Sequence, residues 1–332
     1  MKNPLINEKV YTTFNGEESL KSLSALCLDL LSDQKESWLH FRVGCGSLKN
    51  VRDREISCRG FSVRLQYNPG RIKSSLARVG DKHGRNQRCF LCLDHLPEGQ
   101  KGILLRDEYL ILCNPMPVFS SHFTVSHVCH RPQAIAEHID TILQLMADLG
   151  SGWTVLYNGP KCGASAPDHL HFQAIPSGQM PIEDEILEEN RLVLSTQFDG
   201  VLLYRARGLG REVIILEGND RVAVGNVFKR FLDALRTVLL MDDEPMMNIA
   251  GFYKERKWSL VVFPRQKHRP DAFFMEGTAR VVVSPGVIDM GGVMITPVKK
   301  DFDRLDATSI ESIYKEMSLD EKTVERAIKA MT

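Results

Sequence analysis

No apolar run in this chain of 332 residues approaches the roughly 20 residues needed to cross a bilayer as a helix. The opening Met1-Lys-Asn-Pro-Leu-Ile-Asn-Glu8 carries no apolar stretch of the kind that marks an export signal. These two absences lead us to expect a soluble protein of the cytoplasm. Net charge is lacking as well. The 42 basic side chains are matched by 42 acidic ones, so no overall field draws the chain to nucleic acid or an anionic membrane. Any site for an anion must then be local. Cysteine is too sparse for a disulfide framework: eight thiols without an export signal read as reduced side chains or metal ligands. Apolar content, by contrast, reaches 43%, enough for a substantial core in one large or two small domains.

Against that background one segment stands out, Asn158-Gly-Pro-Lys-Cys-Gly-Ala-Ser-Ala-Pro-Asp-His-Leu-His-Phe-Gln173. If residues 170–174 are extended, alternation sends His169, His171 and Gln173 to one face and Leu170, Phe172 and Ala174 to the other. One face then carries chemistry while its reverse is core. The glycine-rich approach, which includes Gly163 and ends in Ser165, offers backbone N–H groups and a hydroxyl suited to phosphate oxygens. Asn158 could contact a phosphate or a ribose, or simply form the turn before Gly159.

Elsewhere the pattern predicts an α+β chain. Residues 17–31 have helical apolar spacing, and residues 61–67 alternate as a half-buried strand that Pro69-Gly70 breaks. Residues 110–114, 122–128, 154–157 and 169–175 read as strands. Arg131-Pro132 opens a predicted helix through Ile135, Ile139, Ile142, Met146 and Leu149 to a stop at Gly150. The second half echoes this with a helix over residues 227–240 and strands at 246–248 and 258–264. His130-Arg131-Pro132 and His268-Arg269-Pro270 each follow an apolar strand, which suggests an internal duplication unless the tripeptide recurs by chance. The second copy lacks His-x-His-x-Gln, so the first is the catalytic one. We therefore expect an N-terminal helical extension over residues 1–60, a catalytic half over 61–180 and a non-catalytic half over 181–332.

His-x-His-x-Gln preceded by Asn-Gly-Pro-x-x-Gly-Ala-Ser resembles the nucleotidyltransferase and phosphorylase branch of the histidine-triad superfamily. That branch contains diadenosine tetraphosphate phosphorylases, GDP-hexose phosphorylases and galactose-1-phosphate uridylyltransferases. The resemblance runs from Arg64 to Pro176 and implies an antiparallel-sheet, histidine-triad-like fold, here as a pseudo-duplicated pair of halves. It also implies a catalytic set of His171, Gln173 and Ser165. His171 would attack the α-phosphorus to give a covalent nucleotidyl-histidine, a role suited to an imidazole that is largely neutral at pH 7. Gln173 would orient a non-bridging oxygen through its amide N–H. The superfamily's hydrolases carry a third histidine there. An amide cannot protonate a leaving group at neutral pH, so transfer between phosphates is favoured. The expected partners are a dinucleoside polyphosphate or nucleotide sugar with inorganic phosphate or a sugar phosphate, and a homodimer is an open arrangement. A hydrolase of such nucleotides, or a zinc-stabilised nucleotide-binding protein without turnover, remains the alternative.

Cys89-Phe-Leu-Cys92 has the spacing with which two thiolates bind one tetrahedral ion, zinc being the leading choice in such a chain. A redox pair or buried thiols is the other reading, although no thioredoxin-like pattern surrounds it. The resemblance adds His130, eight residues after His122, and His169, to give a structural Zn2+ site of the Cys-Cys-His-His kind seen in the uridylyltransferases. His127, Cys129, His95 and Cys113 lie close enough in sequence to substitute. Gln66-Tyr-Asn-Pro-Gly-Arg-Ile-Lys73 resembles a stretch of the GDP-hexose phosphorylases, which makes Arg71 and Lys73 candidates for a substrate phosphate or, alternatively, surface charges on a turn. Arg265, Lys267 and His268 either close over the second substrate or form a charged strand end.

Overall fold

Strand patterning dominates the chain. The computed structural model describes residues 4–76 and 88–331. Its strands are β1 (Val10–Phe14), β2 (Arg52–Ser57), β3 (Ser62–Tyr67), β4 (Gly102–Leu105), β5 (Tyr109–Cys113), β6 (Phe123–His127) and β7 (Trp153–Asn158). They continue with β8 (His171–Pro176), β9 (Leu192–Phe198), β10 (Val201–Ala206), β11 (Val213–Gly218), β12 (Met247–Lys254), β13 (Lys257–Pro264) and β14 (Val293–Thr296). Eleven of them form one sheet in the order β1-β4-β5-β6-β8-β7-β12-β13-β11-β10-β9, antiparallel except where β1 runs parallel to β4. The other three make a small sheet, β14-β3-β2.

Alternation divides the large sheet cleanly. Tyr109, Ile111, Val125, Tyr157, Phe172, Ile249 and Val262 pack against three helices, Leu23–Ser37, Ile139–Leu149 and Arg221–Leu239. The opposite face, with Leu156, Ile175, Ala250, Val261 and Phe263, packs against the small sheet and the helix Ala307–Met317. The mixed α+β architecture read from the sequence is thus present, with antiparallel pairing dominant.

The duplication is also visible, though its marker is different. β6, the helix Ile139–Leu149, β7 and β8 are matched in order by β11, the helix Arg221–Leu239, β12 and β13, and the two sets meet at the antiparallel β7–β12 seam, where Asn158 pairs with Asn248. His130-Arg131-Pro132 follows β6, whereas His268-Arg269-Pro270 follows β13, whose counterpart is β8. The repeated tripeptide therefore marks nothing; the order of elements does.

Two helix boundaries differ from expectation for physical reasons. The helix predicted over 17–31 begins at Leu23, where the Ser22 hydroxyl accepts from the Ala25 N–H at 3.2 Å, and Leu20 is left in solvent. The helix predicted from Arg131 begins at Ile139. Residues 131–134 are instead committed to β8: the Arg131 carbonyl accepts from Leu170 N at 2.7 Å, and Gln133 Oε1 accepts from His171 N at 2.8 Å. The first sixty residues are not helical throughout, since they contribute β1 to the edge of the large sheet and β2 to the small one.

Candidate active site and metal centre

β8 opens on His171, and period two does what was expected of it. Leu170, Phe172 and Ala174 enter the helix-side core while Gln173 and His171 face the other way. Gln133 clamps the start of this strand, because its Nε2 donates to the carbonyls of Asn158 at 2.9 Å and His171 at 3.0 Å. His171 is almost wholly buried. Its Nδ1–H donates to the His169 carbonyl at 2.8 Å, which leaves Nε2 as the nitrogen with a free lone pair. Burial pushes its pKa down to about 4, against the opposing pull of that hydrogen bond, so the ring is neutral at pH 7.

Gln173 is held by a residue whose role the sequence did not disclose. His122 Nδ1 accepts from the Val118 N–H at 3.2 Å, so the ring proton sits on Nε2, which donates to Gln173 Oε1 at 2.6 Å. With its oxygen occupied, Gln173 presents only its amino group to the space beside His171. Burial holds His122 at about 4 and hence neutral, as this tautomer demands. Replacing His122 by leucine frees the Gln173 amide to turn. We expect a fall in turnover of about 100-fold, the lower end of what loss of one oxyanion donor costs. Steady-state kinetics with parallel melting curves would check this, and unchanged kcat in a folded variant would exclude the role.

A second cluster lies one step along the chain. His169 Nδ1 stands 3.3 Å from Cys89 Sγ and 3.7 Å from Cys92 Sγ, and Cys92 Sγ is 3.2 Å from His130 Nδ1. All four ligand atoms lie within 4.8 Å of one another. A tetrahedral zinc with bonds of about 2.3 Å to sulfur and 2.0 Å to nitrogen needs S···N edges of about 3.6 Å, so this set fits such an ion. The far side of His169 fits too: Nε2 donates to the His127 carbonyl at 2.8 Å, fixing the tautomer that aims Nδ1 at the thiols. The alternative ligands stand elsewhere. His95 Nδ1 faces the Cys89 carbonyl, His127 Nδ1 accepts from Cys129 N, and Cys113 is sealed in the core.

The remaining expected residues divide. Asn158 is placed beside the imidazole: Leu156 pairs with Gln173, so two residues on Asn158 lies level with His171. Gly163 has φ +89°, and a Cβ there would lie 2.8 Å from Gly286 Cα, so close packing against the second half already requires glycine. Ser165 is exposed on the same loop. Arg71 is half-buried, bonds the Met116 carbonyl at 2.9 Å and is close enough to His122 to affect its charge. Lys73 is exposed on the short helix Ile72–Ser75. Arg265 is not a surface charge but lies buried against Asn248, while Lys267 pairs with Asp271 and Glu316 and His268 Nδ1 bonds the Lys161 carbonyl at 2.8 Å.

Residues 30–176, which hold every group of the site described so far apart from the second-half side chains, match a family described as a domain of unknown function, DUF4922. Residues 238–331 match the family described as GDPGP1-like, C-terminal domain. Among curated proteins, none matches the sequence. The fold is that of yeast Ap4A phosphorylase Apa2: at 15% identity and a TM-score of 0.58, the alignment covers 91% of this chain and 96% of that one. The structure of Apa2 in complex with Ap4A superposes equally well, at 14% identity, TM-score 0.58 and 91% and 99% coverage. Its complex with AMP gives 15% identity, TM-score 0.52 and 84% and 96% coverage. What these likenesses share with this chain is the fold. No helix among the described residues is long and apolar enough to cross a membrane.

Proposed function

We propose that this chain is a nucleotidyltransferase of the phosphorylase type, acting on a dinucleoside polyphosphate or nucleotide sugar through His171. The observation that carries the reading is a buried, neutral imidazole with Nδ1 tied back to a carbonyl, beside a glutamine whose amino group alone is free. His171 Nε2 attacks the α-phosphorus, a P–N bond forms, and the P–O bond to the remaining phosphate or sugar phosphate breaks with its electron pair on the leaving oxygen. An oxygen of inorganic phosphate or a sugar phosphate then attacks the same phosphorus, and the P–N bond breaks with its electron pair returning to Nε2, which restores neutral His171. Gln173, and Asn158 level with His171, would donate to the non-bridging oxygens as charge builds. Ser165, the Gly163 loop, Arg71 and Lys73 are candidates to hold the departing phosphates.

Cys89, Cys92, His130 and His169 would hold a structural zinc, whose effect is to anchor the residue two positions before the nucleophile. Reduced thiols used in this way suit the cytoplasm. The cavity of about 660 Å³ lined by Trp38, Val43, Asn68, Arg71, Pro115 and Met116 is our choice for the base. The catalytic half is residues 61–180 on this reading, with residues 181–332 supporting it.

The test is to incubate the protein with α-phosphate-labelled Ap4A and with ADP-, GDP- and UDP-sugars and look for an acid-labile adduct. Discharge by phosphate or a sugar phosphate supports the proposal. Discharge by water alone makes it a hydrolase, and no adduct with any of them makes it a binding protein. The pH profile offers a separate check. Activity requires the neutral ring, and because its pKa in the free protein lies at about 4 rather than about 6.5, kcat/KM should stay level from pH 8 to about pH 5.5 and fall only below that. An acid limb centred at pH 6.5 would contradict a buried neutral nucleophile.

A further inference from the structure

Among the described residues Arg265 is the largest fully buried side chain, and it forms no direct ion pair, although Asp289 lies near enough to favour its charge. Its terminal nitrogens donate to Asn248 Oδ1, to the Pro285 carbonyl at 3.0 Å and to the carbonyls of Lys267 and His268 at 3.1 and 3.4 Å, while its Nε is buried without a partner among the described residues. A cation kept out of water is costly even with the Asp289 carboxylate nearby, and apolar replacements of buried charges are often tolerated, so its placement asks for a reason.

The reason lies in the order of donors and acceptors. A guanidinium can only donate. Asn248 must therefore turn its oxygen to Arg265 and its amino group the other way, where it donates to Asn158 Oδ1 and to the Cys162 carbonyl, both at 2.7 Å. Asn158 Oδ1 also accepts from the Val287 N–H at 2.7 Å. Both ends of this chain touch backbone groups of fixed polarity, the Cys162 carbonyl and the Val287 N–H, so neither amide can be reversed without leaving a buried partner unmatched. With its oxygen used twice, Asn158 has one orientation left. Its amino group, which meets no partner among the described residues, is the part turned away from this network.

We propose that Arg265 and Asn248 are positioning residues that fix Asn158 as a hydrogen-bond donor to the phosphate held at His171. The inference rests on the function proposed above and gives the second half a specific role, that of setting the polarity of an amide in the first half across the β7–β12 seam. Gln173 is treated in the same way from the other side, by His122. Two amides flanking one imidazole thus have their oxygens occupied and their amino groups free.

The decisive variant is Asn158→Asp. It keeps both hydrogen bonds that Asn158 accepts, replaces the free amino group by an oxygen and adds a negative charge, so the neutral Asn158→Ala variant, which repels no phosphate, must show the loss as well. If Asn158 merely braces the seam, AMP and GMP binding, measured by calorimetry, will equal the wild type. If it is a donor, affinity will fall at least about 30-fold, as loss of a hydrogen bond to a charged group implies, with melting temperature preserved. A double-mutant cycle then tests the relay: Arg265→Met should weaken binding in the Asn158 background and have little further effect in Asn158→Ala. Additive losses, or full affinity in Asn158→Asp, overturn the relay while leaving the nucleotidyltransferase reading standing. A wild-type protein that binds neither of these nucleotides, nor UMP, overturns both.

Discussion

Replacing His171 by alanine is expected to abolish the nucleotidyl adduct and to lower turnover by about 10⁴-fold or more, the scale on which removal of an enzyme nucleophile is felt. Nucleotide affinity should change by less than about tenfold, because the groups that would hold the phosphates and base are other side chains. The structure makes this separation clean. The imidazole's one hydrogen bond from the ring runs to the His169 carbonyl, while the strand is held independently by Gln133 through the His171 backbone. Deleting the ring leaves those backbone bonds intact, so the variant should fold. Adduct trapping by mass spectrometry and single-turnover kinetics are the measurements. Residual adduct at wild-type rate would move the nucleophile to another residue.

Removing the metal is the second large effect. A structural zinc in a small peptide contributes on the order of 10 kcal/mol of apparent stability, and even a fraction of that is large for a domain. The purified protein should carry one zinc per chain. Stripping it with a strong chelator, or replacing Cys89 by serine, should lower the melting temperature by about 10 °C and reduce turnover, although no step of the reaction uses the ion. The coupling is geometric: the four ligands tie the 89–92 turn and the end of the β6 segment to His169, two residues before the nucleophile. Without the ion, His169 would keep its bond to the His127 carbonyl but lose its anchor to the thiols. A metal-free protein with unchanged melting and activity would leave Cys89 and Cys92 as ordinary thiols. In the bare cluster, burial and the neighbouring Cys89 push the Cys92 thiol up to about 12, so in the metal-free state Cys92 should behave as a neutral thiol rather than a reactive thiolate.

The parts of the fold and site that were legible share one property: their signal is local. Alternation in residues 170–174 placed Leu170, Phe172 and Ala174 in the core, and a Cys-x-x-Cys spacing announced a turn that could gather ligands. The residues that orient the chemistry carry no such signal. His122 meets Gln173 from 51 positions away, Gln133 reaches His171 from 38, and Asn248 meets Asn158 from 90. A buried amide or imidazole has no spacing rule, since its partner is chosen by the tertiary fold. The same reason explains the helix drawn too early from Arg131. Its apolar periodicity through Ile135 was real, but the Arg131 carbonyl and the Gln133 side chain were already engaged with the segment that bears the nucleophile. β14 was equally out of reach, because it pairs with β3 across more than two hundred residues.

The seam between β7 and β12 has a bearing on how such a chain can be cut or evolve. Every residue of β7 is buried, and its outer row of N–H and C=O groups is spent on β12. A fragment stopping short of residue 247 would expose that row as a sticky apolar margin, ready to recruit a strand from another molecule. Two copies of such a fragment could restore the continuity by joining margin to margin, which is how a single long polypeptide of this kind could have descended from a shorter self-pairing ancestor.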